Sequence, residues 1–305
     1  MSSSPEISVI TPTHNRGKAL ERAIESVRGQ SFENYEHIII DDASTDNTPE
    51  IVAKFNDPRI RFLQFKQWRG ANPARNEGIA MTRAPIVTFL DSDDEFLPLR
   101  LERTLKLFHT HPDTKLLISS FQTWKDDEIL NSSNPGGEID PSLLEHALMS
   151  HVLFIGSTAL TVRRDLLIQI DCFDPNLLRM QDRELLLRIS RHSGAISLSE
   201  DDWIKHRSHD SISNPRHGYI AALDAMLKKH PELVQRHREL VSYLVARQIL
   251  KDLMRLHLGL VRESLRANRQ SPLFQFSILE LIQGYPRGKA LRRKISSKLQ
   301  ALEAG

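Results

Sequence analysis

Cysteine is nearly absent: the 305 residues hold one, Cys172. A lone cysteine excludes an intrachain disulfide framework and any zinc site built on cysteines, and it fits a reducing, cytosolic compartment. Long apolar runs are missing too. The longest candidate, Val152 to Val162, is interrupted by Gly156, Ser157 and Thr158, short of the roughly 18 consecutive apolar residues of a membrane span. The opening MSSSPE has neither the basic start nor the apolar centre of a signal peptide, so secretion by that route is not expected. No G-x-G-x-x-G follows the first strand pattern and no G-x-x-x-x-G-K-[ST] occurs, which disfavours a Rossmann dinucleotide site and a P-loop. Net charge is small as well, 41 Lys and Arg against 39 Asp and Glu, so the chain as a whole gives no electrostatic reason to expect nucleic acid.

What is present is an ordinary globular composition, 40% hydrophobic and 26% charged, with a length that suits one large domain or two small ones. The formal net charge of +2 conceals an asymmetry. Residues 1–227 carry 25 Lys and Arg against 33 Asp and Glu, and residues 228–305 carry 16 against 6. An acidic first part suits a cation-dependent site. In the basic remainder Arg287, Lys289, Arg292, Arg293, Lys294 and Lys298 alternate with Leu291, Ile295 and Leu299. That pattern suits either an anionic membrane surface or a solvated face over an intramolecular contact.

Apolar periodicity predicts strands over Ile7–Ile10, Tyr35–Ile40, Ile60–Phe65, Ile86–Leu90, Lys115–Phe121 and Phe154–Val162, with Asn131–Gly137 a turn-rich loop. It predicts helices over Lys18–Gln30, Thr48–Phe55, Ala74–Thr82, Pro98–His109, Pro141–Ser150 and Gln181–His192. Strands alternating with helices imply an α/β domain with a mostly parallel sheet. From about residue 216 the strand signal disappears. Helices are expected over Ala221–Lys229, Leu233–Leu258, Leu260–Asn268, Pro272–Ile282 and Gly288–Leu302. The expected organisation is therefore an α/β domain over 1–215 and an all-helical extension over 216–305.

Three polar clusters, Thr11–Arg16, Asp41–Asp46 and Asp91–Glu95, follow strand ends, and in open α/β sheets that rim is where ligands bind. Asp91-Ser92-Asp93 places two carboxylates at the end of a buried strand, with Asp94 and Glu95 adjacent. Mg²⁺ and Mn²⁺ take one or two such carboxylates together with substrate phosphates; the alternative is an acidic surface turn. Asp41-Asp42 serves either a nucleobase or ribose, or the dipole of the following helix. Arg69 and Arg75 offer guanidinium forks suited to a diphosphate, or a plain solvated face. Asp182, at a helix start, is either a general base or a helix N-terminal charge. His206 and His209 are metal or phosphate contacts, or surface histidines.

Together these segments resemble the inverting family 2 glycosyltransferases of the GT-A fold. ISVITPTHNR is similar to the family's first strand and nucleotide loop, and IIIDDASTDNT to its second strand with a base-binding Asp. GANPARNEGI resembles the diphosphate-facing segment, VTFLDSDDEFLP the metal-binding segment, RMQDRELLLRIS the helix with the catalytic base, and HRSHDSIS the segment closing the domain. The resemblance covers about Ile7 to Ser213. It implies a GT-A fold, a Rossmann-like, mostly parallel sheet flanked by helices, followed here by the helical extension.

Carried onto this sequence, the resemblance implies that Pro12, His14 and Asn15 border the nucleobase and ribose and that Asp42 accepts from the base. Arg75 approaches the diphosphate, Asp91 faces the ribose or the metal, and Asp93 ligates Mn²⁺ or Mg²⁺. Asp182 is the general base, and His209 contacts metal or diphosphate. Two departures stand out: Gln181 where relatives carry Glu, and His14 where they carry Tyr. The implied activity is cytoplasmic transfer of a sugar from a nucleotide donor, UDP-linked, to a carbohydrate or lipid-linked acceptor hydroxyl in surface-polysaccharide or glycolipid assembly. Glycosylation of a peptide or protein, and a catalytically weak nucleotide-sugar scaffold, are the competing readings. Contact of the basic C-terminus with the inner face of the cell membrane, and a homodimer, are the further partners to test.

Overall fold

The computed structural model describes residues 4–125, 128–206 and 218–303. Its first half is β1 (Ile7–Thr13), α1 (Gly17–Arg28), β2 (Tyr35–Asp41), α2 (Thr48–Lys54), β3 (Ile60–Gln64), α3 (Ala71–Met81) and β4 (Ile86–Phe89). These strands lie side by side and parallel in the order β3-β2-β1-β4. Alternate residues bury on opposite faces. Ile10, Ile38, Val87 and Phe89 pack with Ala74 and Ile79 of α3. Ile7, Val9, Ile86 and Leu90 pack with Ala23 and Val27 of α1. Burial on both faces explains why these strands read as unbroken apolar runs. The chain leaves β1 towards β2 on one side and returns on the other at β4, so the crevice beyond the ends of β1 and β4 is the topological switch point.

The sheet continues through β5 (Glu95–Phe96), β6 (Leu116–Lys125), β7 (Glu128–Ser132), β8 (Gly137–Ile139), β9 (Leu160–Arg163) and β10 (Ala195–His206), interleaved with α4 (Arg100–Thr110), α5 (Pro141–Ser150), α6 (Arg164–Gln169) and α7 (Gln181–Ile189). Several expectations are corrected here. The strand expected over Phe154–Val162 survives only as β9, preceded by a 3-10 turn at Ser157–Ala159. The cause is lateral: the Thr158 hydroxyl accepts from the Asp91 amide (3.1 Å) and donates to Asp94 (2.8 Å), and the Thr158 carbonyl accepts from Arg100 (2.6 Å). The expected loop over Asn131–Gly137 instead has β7, hairpinned on β6, at one end and β8, beside β10, at the other. β10 itself carried no strand signal, because register shifts between Ser197, Asp201 and Trp203 break its alternation.

The remaining helices are α8 (Tyr219–Leu227), α9 (Pro231–Arg236), α10 (Arg238–Met254), α11 (Leu258–Gln270) and α12 (Ile278–Leu302). One helix was expected over Leu233–Leu258; it breaks at His237, whose ring bonds Glu145 of α5 at 2.8 Å. Residues 272–277 are not helical, and the two helices expected around Gly284-Pro286-Gly288 are one. A capping box between Ser277 and Glu280 starts α12. Its Gly284 and Gly288 lie against Ser242 and Tyr243 of α10, where a Cβ would come within 2.3 Å of either side chain.

The expected 1–215/216–305 boundary falls among residues outside those described. The helices that follow share one apolar cluster with the sheet, from Ile10 to Leu299. Ile295 and Leu299 are buried in it and Leu291 packs against it, so these three side chains are turned inward, whereas Ile278, Leu279 and Ile282 at the start of the same helix are exposed. Among the described residues no helix is long and apolar enough to cross a membrane.

Candidate active site

A cavity of about 840 Å³ opens at the switch point, within the usual range for small-molecule sites. Pro12, His14, Asn15, Asp42, Arg75, Asp91, Asp93 and Asp182 all line it, whereas the other two candidates do not: the Arg69 guanidinium lies over the Phe65 ring and His206 meets Glu95 at 3.1 Å. His209 lies outside the described residues.

At one end the loops after β1 and β2 are tied together. The His14 Nδ1–H donates to the Asp42 carbonyl at 2.7 Å, which leaves Nε2 to accept from the Asn15 amide at 3.1 Å. Asn15 has a left-handed backbone (φ 51°), and its side-chain oxygen accepts from the Thr45 amide at 2.7 Å. Asn15 is thus a brace for the loop. The Asp42 carboxylate accepts from the Arg69 and Gly70 amides at 2.7 and 2.6 Å. That pins the entry to α3 and leaves Trp68, 62% exposed, standing on the cavity wall.

In the middle, Arg75 is buried and donates to Asp91 and Ser157, both at 2.7 Å. Burial acts to raise the Asp91 pKa, but the Arg75 guanidinium, the Lys205 ammonium and the Ser157 hydroxyl hold it below the ordinary carboxylate value. Asp93 pairs with Arg16 at 2.7 Å. Burial pushes the Asp94 carboxyl up to about 8 against the pull of Lys205, with Asp91 and Asp93 adding to the rise. Arg100 sits beneath, fully buried, bonded to Ser119, Thr88 and Thr158. It holds the strand ends and touches none of the cavity.

Asp182 enters from the start of α7, after Met180 in a left-handed turn (φ 60°). Burial raises its pKa, opposed by Arg75 and Lys205 and reinforced by Asp91. Its Oδ1 is buried without a hydrogen-bond partner. A carboxylate so placed accepts a proton readily from a group brought against it.

Sequence reasoning missed several lining residues: Lys205, Trp68, Ser157, His151 and Tyr219. Lys205 matters most. Burial acts to lower its pKa, yet Asp94, Asp91, Asp93 and Asp182 raise it above the ordinary lysine value, so it remains a cation among the carboxylates. Trp203 and Lys205 are two residues apart and both line the cavity. That period-two signal was available only once β10 was known to be a strand.

Residues 8–170 match the glycosyl transferase family 2 model. Over 96 residues the chain is 43% identical to the GalNAc(5)-diNAcBac-PP-undecaprenol beta-1,3-glucosyltransferase of Campylobacter jejuni, covering 30% of this chain and 31% of that protein. The matched stretches span 29%, 37% and 31% of the length of three such relatives. Among solved structures, S. aureus TarS 1-349 in complex with UDP-GlcNAc superposes with a TM-score of 0.71 at 17% identity, covering 97% of this chain and 92% of that one. The mannosyltransferase PcManGT of Pyrobaculum calidifontis, in complex with GDP-Man and Mn²⁺, gives 0.61 at 17% identity, covering 99% and 85%. These likenesses establish the GT-A fold, and with the family match over more than half its length the chain belongs to glycosyl transferase family 2.

Proposed function

We propose that this chain transfers a glycosyl residue from a UDP-sugar to an acceptor hydroxyl with inversion, in the assembly of a surface polysaccharide or a lipid-linked glycan. The observation that carries the reading is the unpartnered, buried Oδ1 of Asp182, in the same cavity as the Arg75-braced Asp91 and as Asp93. The nucleotide lies over His14, the Asp42 loop and Trp68, and the diphosphate over Asp91 to Asp93. Asp182 takes the proton of the acceptor hydroxyl as that oxygen attacks the anomeric carbon from the face opposite the departing UDP. One displacement of this kind inverts the configuration. Lys205 and Arg75 bring positive charge to the leaving diphosphate and keep Asp91 ionised.

A divalent cation fits the donor set. Among the described residues no three ligating side chains form a closed cage, and Mg²⁺ is ordinarily held by one or two carboxylates with phosphates and water. Asp93, with Asp91 beside it, would hold Mn²⁺ or Mg²⁺, whose charge would offset that of the diphosphate.

UDP titrated with Mn²⁺ should quench tryptophan fluorescence, and Trp68→Leu should remove the larger part of the change. Asp93→Asn or omission of metal should weaken binding by about tenfold or more, as loss of a charge-assisted contact does. Quenching undiminished in Trp68→Leu would place the base elsewhere.

Membrane contact has a second candidate surface besides the exposed basic residues of the terminal helix. Leu250, Leu253, Met254, Leu256 and Leu258 are exposed around the α10–α11 turn, with Lys251, Arg255 and Arg262 exposed beside them and Asp252 buried. Apolar side chains ringed by cations suit an anionic bilayer surface. The chain should float with phosphatidylglycerol vesicles and not with phosphatidylcholine. Leu253→Glu with Met254→Glu should abolish flotation. Retained flotation, or loss of a dimer in light scattering without any vesicle binding, would assign the turn to another partner.

A further inference from the structure

The two carboxylates beyond β4 are held in different ways. Asp91 is paired with Arg75 at 2.7 Å, and the Arg75 side chain is 4% exposed and also donates to Ser157 and Asn72 at 2.7 and 3.3 Å. Moving it would strand buried polar groups. Asp93 is paired with Arg16 at 2.7 Å, and there the side chains are 26% and 16% exposed, so water reaches both partners. Main-chain bonds fix both residues. The Arg16 carbonyl accepts from the Leu20 amide at 2.9 Å, in the first turn of α1. The Asp93 carbonyl accepts from Arg22 of the same helix at 2.8 Å. What can move is the Arg16 side chain, and Arg16 lines the cavity.

A guanidinium at 2.7 Å takes up carboxylate lone pairs that a divalent cation would also use. The two positive groups repel at such range, so they compete for the Asp93 side chain. An ion pair open to water is weakly held and can be exchanged. A guanidinium freed from Asp93 stays tethered to the start of α1, beside the same cavity, and its planar fork of donors matches a phosphoryl group.

We infer that Arg16 is an exchangeable partner of Asp93: it holds that carboxylate in the free chain, and it passes to the diphosphate of the nucleotide when a divalent cation takes Asp93. The inference rests on the transferase reading above and adds a coupling to it. The nucleotide draws Arg16 away and so uncovers a ligand for the cation, and the cation displaces Arg16 towards the nucleotide. Each therefore tightens the other, by the same factor in both directions. Arg75, tied to Ser157 and Asn72, takes no part in the exchange.

The test is Mn²⁺ binding to the full chain, read from the paramagnetic resonance signal of the free ion, without UDP and with UDP at saturation. Arg16→Gln and Arg16→Met should bind Mn²⁺ alone more tightly than the parent, by about fivefold or more. With Mn²⁺ saturating, the same variants should bind UDP more weakly, so the factor by which UDP tightens Mn²⁺ falls. Opposite signs for the two ligands are not what a loosened fold produces, since that would weaken both. Arg22→Gln removes a charge from the same helix without uncovering the Asp93 carboxylate, and should change Mn²⁺ affinity by less than about twofold. Mn²⁺ affinity of the UDP-free Arg16 variants no higher than that of the parent, absence of binding to all three included, overturns the inference. So does an equal gain in Arg22→Gln, or an undiminished coupling factor. UDP that binds neither parent nor variants overturns the transferase reading instead, and the titration with Mn²⁺ alone still decides whether Arg16 competes for Asp93.

Discussion

Asp182→Asn is expected to abolish glycosyl transfer while UDP-sugar binding persists. The substitution keeps the shape of the side chain and removes its capacity to take a proton. Positioned general bases contribute about 10²–10⁴-fold, so the loss in kcat should fall in that range. The pH profile provides an independent readout. The Asp182 pKa is raised, chiefly by burial, and the ionised form is the active one. Transfer should therefore rise with pH through an inflection above the ordinary Asp value of about 4 and level off beyond it. Any residual activity of the Asn variant should lack that acid limb. A variant with comparable transfer, or a parent whose activity is flat down to the ordinary carboxylate range, would remove Asp182 from the mechanism.

The second large effect is on stability. Arg75 is buried, and its Asp91 partner is about a third exposed at the side chain. Arg75→Met strips the guanidinium from Asp91 and from Ser157, leaving a carboxylate at the cavity floor beside Asp94 and Asp182. Breaking a buried pair by deleting one partner costs about 3–5 kcal/mol, and the exposure of Asp91 places the expected loss near about 3 kcal/mol. Urea unfolding should show it. Adding Asp91→Asn to Arg75→Met should recover part of the loss, because no charge is then left unpaired. No recovery in the double variant would mean that Arg75 acts through packing on Phe173, whose ring centroid lies 5.5 Å from its guanidinium carbon.

How far the site was legible depended on how local its signals were. The DSDD segment after Ile86–Phe89, the Asp pair after β2 and Asp182 at a helix start all follow from apolar runs ending in acids, and the cavity gathers them. Lys205 was invisible because β10 is bulged, and an irregular strand has no clean alternation to read. Trp68 was passed over because an exposed tryptophan in a loop carries no periodicity. The 3-10 turn at Ser157 was read as strand because Thr158 is β-prone in isolation, whereas three partners, Asp91 and Asp94 from the loop after β4 and Arg100 from α4, bend it. The terminal helix was amphipathic in pattern, but an apolar stripe does not say whether a core or a bilayer covers it.

By itself, then, the sequence determined the alternation of strands and helices, the rim on which the acids would lie, and the family to which that order belongs. These are properties of short windows: side-chain period, strand-end polarity and motif order. The tertiary structure decided which cation meets which carboxylate. Arg75 reaches Ser157 across 82 positions, and Asn72 of the same helix reaches Leu177 across 105. It also decided that burial raises the Asp94 pKa while Arg75 and Lys205 hold that of Asp91 down, and that Ile295 and Leu299 of the terminal helix face inward. Such outcomes depend on burial and on distances of a few ångströms between distant segments, and no local pattern in the chain encodes either.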